Sequence, residues 1–147
     1  MRKNLFLHFL LSLFLLFISL LSPRIPARAG DDSLETLHLL SDETLRFAQQ
    51  MVEHGSEGHT SEIVLYGDRM LLKVSQWIQV VQASSSPEIK RQRKAFLVSL
   101  KAIQGFAQDA VRLGKENQRG LAIEAARQSV SRARQARRKV YALKEGK

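Results

Sequence analysis

From residue 31 onward, apolar positions recur at steps of three and four, the period of helices that bury one side. Leu34, Leu37, Ser41, Leu45, Ala48 and Met51 or Val52 trace one such face and predict a first helix from about Ser33 to His54. Gly55 and Gly58 read as its stop and bracket a short turn. Thr60 then reads as the N-cap of a second helix, with Glu62 set against the positive end of its dipole. Ile63, Gly67, Met70, Val74, Trp77 and Val81 form its core stripe. After the connection Ala83-Ser84-Ser85-Ser86, Ser86-Pro87-Glu88 supplies a capping serine, a proline at the first helical position and an acid behind it. Ile89, Phe96, Leu100, Ile103, Ala107 and Ala110 carry the third helix to Leu113, where Gly114 reads as the end. A fourth starts at Arg119 or Gly120 and runs through Leu121, Ala125, Ser129, Ala133, Ala136 and Val140. Its mostly small stripe predicts close approach and little area buried per turn.

Short connections between helices of similar length predict an all-α, up-down-up-down four-helix bundle. An internal repeat points the same way. A shift of 59 residues aligns Phe47-Ala48-Gln49 with Phe106-Ala107-Gln108, Val52 with Val111, Gly55 with Gly114 and Glu57 with Glu116. The bundle is therefore expected to be two copies of one helical hairpin, with both repeat turns at the end away from the serine-rich connection.

Residues 1–29 follow a different pattern. Arg2 and Lys3 precede an apolar run from Leu5 to Leu21, then Ser22-Pro23-Arg24-Ile25-Pro26, then Ala27-Arg28-Ala29 with small residues at −3 and −1. That is the layout of a cleavable secretory signal, so 1–29 is expected to be removed and 30–147 to form the bundle domain in the periplasm or outside the cell. The alternative is retention as a membrane anchor, since the apolar run sits at the lower edge of spanning length.

Charge then changes the picture. The formal net charge of +9 falls to +5 without residues 1–29, and what remains is uneven: −6 over 30–86 and +11 over 87–147. A basic half suggests nucleic acid or an anionic surface. For an exported chain nucleic acid is not the expected partner, and an acidic hairpin packed beside a basic one accounts for the asymmetry. The functional alternative for Arg132, Arg134, Arg137, Arg138, Lys139 and Lys144 is an acidic protein or an anionic membrane surface. The absence of cysteine excludes disulfides, thiolate metal sites and c-type haem attachment.

The densest chemistry is Glu53-His54-Gly55-Ser56-Glu57-Gly58-His59-Thr60. Imidazole nitrogens suit copper(II), nickel(II) and zinc(II), and carboxylates can complete the shell. The glycines allow a turn that brings His54 and His59 together, whereas a continuous helix would point them apart. His54, His59, Glu57 and Glu53 are thus the candidate ligands; the other reading is a capped polar turn whose histidines face water. His38, about four turns earlier, is too far along the helix to share a mononuclear site and reads as structural.

The stretch Phe47-Ala48-Gln49-Gln50-Met51-Val52-Glu53-His54-Gly55-Ser56-Glu57-Gly58-His59-Thr60 resembles the helix–turn segment of the bacterial small metal-binding protein family. Those are exported, histidine-rich four-helix bundles with a His-Gly-x-Glu-Gly-His-Thr turn in repeated hairpins. The resemblance implies periplasmic binding of divalent metals, copper above all, with His54, His59 and Glu57 at the family's turn positions. It also implies histidines where Phe47 and Tyr66 stand and in the second turn, where this chain has Leu113 and Gln118 instead. These departures limit the expectation to at most one metal ion, the alternative being a bundle that has kept the fold and lost the metal.

Other chemistry is thin. No Ser-His-Asp or Cys-His arrangement and no phosphate-cradling glycine loop can be assembled, so the chain is not expected to be an enzyme. Haem between Met51 or Met70 and a histidine would need a cross-bundle ligand, and the third and fourth helices hold no histidine.

Overall fold

The computed structural model describes residues 31–145, and side chains from Ser33 to Leu143. The segment read as a signal peptide lies outside the described residues. Four helices follow in order: α1 Asp31–Ser56, α2 Thr60–Ala83, α3 Pro87–Lys115 and α4 Arg119–Glu145. At 1.5 Å per residue each is about 36–44 Å long. Consecutive helices pack along one another, α1 also packs along α4, and the diagonal pair α2–α4 barely touches. This is the up-down-up-down four-helix bundle. Among the described residues no helix is long and apolar enough to cross a membrane.

The stripe expected for α2 is its buried set: Ile63, Gly67, Met70, Val74, Trp77 and Val81. In α3 the expected stripe is buried and extended by Val111 and Gly114. Ser86 caps α3 with its hydroxyl accepting from the Ile89 amide, and Pro87 occupies the first turn where its missing N–H costs nothing. In α1 the buried face is richer than expected, with Leu40, Thr44 and Phe47 joining Leu37, Ser41, Ala48 and Met51, while Leu45 is only partly covered. The start of α4 is rotated by one residue from expectation. Ala122 and Ala126 are buried, whereas Leu121 is 59% exposed and Ala125 only partly covered. From Ser129 to Val140 the expected residues face inward.

The glycines at 55 and 114 do not stop their helices. Both are buried within the last turn, and a Cβ on Gly55 would come within 2.7 Å of Ile63 Cδ1 and 3.0 Å of Ile123 Cγ1. One on Gly114 would meet Val64 Cγ2 at 3.0 Å. Their absent side chains let the hairpin partners approach. The backbone reversal is made three residues later, by Gly58 at φ 102° and Asn117 at φ 57°, again 59 residues apart.

Candidate metal centre

Both repeat turns close with the same hydrogen bonds. After α1, the Gly58 amide donates to the Gly55 carbonyl (3.1 Å) and the His59 amide to the His54 carbonyl (3.0 Å). After α3, Asn117 donates to Gly114 (3.1 Å) and Gln118 to Leu113 (2.9 Å). This paired pattern is the Schellman cap, which brings the side chains at its two ends together. In the first turn those ends are His54 and His59; in the second they are Leu113 and Gln118. The turns lie at the same end of the bundle, as the repeat implied. Arg119, opening α4, ties them there by donating from Nε to the Gly55 carbonyl (2.9 Å) and from its terminal nitrogen to the Ser56 carbonyl.

Because the His59 amide is used by the cap of α1, α2 starts one residue earlier than expected. Its N-cap is His59, not Thr60, and the imidazole makes no capping bond. The ring is left free to act as a ligand. Counting from His59, Glu62 falls at the third helical position, from which a glutamate folds back over the cap. It does so here: Glu62 Oε2 lies 2.9 Å from His54 Nδ1, and Oε1 lies 4.0 Å from His59 Nδ1.

Glu57 Oε2 is 3.3 Å from His54 Nδ1 and 3.6 Å from His59 Nδ1. His54, Glu57 and His59 each offer a ligand atom, and these atoms lie within 4.8 Å of one another. Bonds of about 2.0–2.2 Å to a tetrahedral ion separate neighbouring donors by about 3.3–3.6 Å, so the group could close on an ion with little movement. The carboxylates of Glu57 and Glu62 beside the two imidazoles also supply the negative charge a dication favours. The helix ends assist: His54 sits at the negative end of α1, and Glu62 at the positive end of α2.

Glu53 does not join this group. One residue before His54 it is turned by about 100°, and it lines a groove with Arg127 and Arg134 of α4. Glu62 replaces it near the histidines. Sequence reasoning assigned Glu62 only to the helix dipole, because placing the cap at Thr60 put it one position off the fold-back site. Phe47 and Tyr66 do lie beside the centre. Tyr66 stacks on His54 (centroids 5.2 Å apart) and Phe47 on Tyr66 (6.5 Å), with Arg69 and Arg46 over their rings. These aromatic rings form a wall for His54 where the resemblance would have put further ligands.

The second turn offers an internal contrast. Glu116, equivalent to Glu57, is occupied by Arg112 (3.3 Å) and by the Gln118 amide (3.1 Å), and Arg112 stands at the position equivalent to Glu53. His38 is remote from both turns, with its ring edge-on to Tyr141 at 4.4 Å. No family model matches the chain, and no curated protein or solved structure shows significant similarity to it.

Proposed function

We propose that this chain is an exported helical-bundle protein that binds one divalent transition-metal ion, copper(II), nickel(II) or zinc(II), through His54, His59 and Glu57. The observation that carries the reading is the convergence of those three ligand atoms within 4.8 Å at a turn whose backbone is fixed by its own cap. Glu62 stands outside that group but adds negative charge beside both imidazoles. A partly exposed His54 (28%) and an exposed His59 (57%) suit an ion that is exchanged rather than permanently structural. The proposed role is that of a binder or carrier. Copper heads the list because two imidazoles and a carboxylate favour it in the affinity order of divalent ions.

Calorimetric titration of the tag-free protein with copper(II), nickel(II) and zinc(II) tests this. One ion per chain, held more tightly than ~0.1 mM and only with both histidines present, is the expected result. Weaker binding of all three ions, or equal binding after both histidines are replaced, would defeat the metal reading.

A further inference from the structure

The 59-residue repeat gives the bundle two equivalent surface grooves, and their differences isolate a feature the fold does not require. Between α2 and α3, Gln108, Val111 and Arg112 face Asp68 and Leu71. Between α1 and α4, the equivalent Gln49, Val52 and Glu53 face Arg127 and Val130. The α1–α4 groove is the larger, about 620 Å³ against about 490 Å³, and continues along Arg134 and Arg138 toward Leu45. That volume lies within the ~300–1,000 Å³ of small-molecule sites.

The residues that enlarge it are charged without a structural reason. The first hairpin has Ser75 and Gln79 at the positions equivalent to Arg134 and Arg138, and it forms the same packing. Arg134 and Arg138 are exposed, stand one turn apart on one face, and have no ion-pair partner among the described residues. Two such cations repel one another. Arg137 between them is committed to Asp42 and Tyr141. The groove's acid, Glu53, sits at the far end beside Arg127, because α1 runs antiparallel to α4. Beneath the guanidinium groups the wall is apolar: Leu45, Val52 and Val130 are packed on the core but only partly covered.

We propose that the α1–α4 groove binds an amphipathic anion, its carboxylate or phosphate head held by Arg134 and Arg138 and its apolar tail laid over Leu45, Val52 and Val130. Paired guanidinium groups offer the fork of donors that fits either oxyanion. The apolar floor distinguishes the site from a merely basic surface.

Calorimetric titration with dodecanoate, in chelator so that metal binding at the turn plays no part, tests the site. Acetate and vesicles of phosphatidylglycerol provide the parallel arms. Dodecanoate is expected to bind one per chain at micromolar concentration, acetate not measurably, and R134Q/R138Q to weaken dodecanoate at least ~10-fold. K94Q/K101Q removes equal charge from α3 and should leave binding unchanged; circular dichroism melts confirm that both variants fold. Three results would overturn the proposal: no dodecanoate binding below ~1 mM, equal loss in both charge variants, or binding to vesicles without binding to the monomeric anion.

Discussion

The amide of His59 donates to the carbonyl of His54 across 3.0 Å, so the two imidazoles of the candidate centre stand at the two ends of one capping hydrogen bond. In this cap the residues at those ends usually make an apolar contact. Here they are imidazoles whose ring centroids lie 6.3 Å apart, with the planes inclined by 29°. The second turn makes the same cap with Leu113 and Gln118, so the fold needs the cap and not the histidines.

Metal affinity should therefore depend on both histidines while folding does not. H54A/H59A is expected to abolish copper(II) binding by calorimetry and to leave the melting temperature of the metal-free protein nearly unchanged. Replacing His38 should not alter affinity. Protons compete with the ion for the imidazole nitrogens, so affinity should fall as pH is lowered.

Gly58, at φ 102°, aligns the pair through the backbone. Gly58→Ala forces a side chain into the left-handed region and is expected to cost about 1–2 kcal/mol in denaturant unfolding. It should also weaken copper(II) roughly 10-fold by misplacing His59. Asn117→Ala, at the equivalent position of the other turn, should cost about 1 kcal/mol and leave metal affinity intact.

The acidic and basic hairpins are joined by a named contact. Arg137 donates to Asp42, and the Tyr141 hydroxyl donates to the other oxygen of the same carboxylate at 3.0 Å. The hydrogen bond that Arg137 donates to Asp42 raises the guanidinium's pKa further above its already high ordinary value, against the opposing effect of desolvation. A raised guanidinium contributes stability at every pH below that value and loses it only as pH climbs past. Between pH 6 and 9 this arginine therefore adds no pH dependence to stability. Both groups are exposed by more than a third, so a double-mutant cycle should give a coupling of only about 0.5–1 kcal/mol, reduced by salt. Melting temperature should fall modestly from low to physiological salt; a clear rise would show repulsion among the α4 arginines dominating.

Two helical glycines should respond oppositely to alanine. At Gly67 a Cβ would run into Val111 and lie 3.2 Å from Met51 Sδ, so Gly67→Ala is expected to destabilise by about 1–3 kcal/mol. At Gly105 nothing lies within 4 Å, so Gly105→Ala should stabilise by about 0.5–1 kcal/mol through helix propensity. Thermal melts resolve both, at about 4 °C per kcal/mol for a domain of this size.

Exported material should begin at Gly30. N-terminal sequencing or intact mass checks it, and retention of Leu5–Leu21 would make the protein membrane-anchored instead.

The sequence by itself determined what depends on neighbours along the chain. Helical periodicity placed the α2 stripe from Ile63 to Val81, Ser86-Pro87 started α3, and the 59-residue repeat implied two like hairpins with their turns at one end. These features follow from the 3.6-residue period and from local backbone preferences, which a string of residues contains in full. Tertiary structure decided what depends on the element across the gap. Gly55 and Gly114 look like helix stops, but their small size serves close approach to Ile63 and Val64. Leu121 fits an apolar stripe, yet Ala122 and Ala126 take the buried places, because at that end α4 faces its neighbours with its small residues. Glu53 and Glu62 are both near the histidines in sequence. Only Glu62 reaches them, because a residue step turns a helical side chain by about 100° and the Schellman cap, not sequence distance, sets where α2 begins.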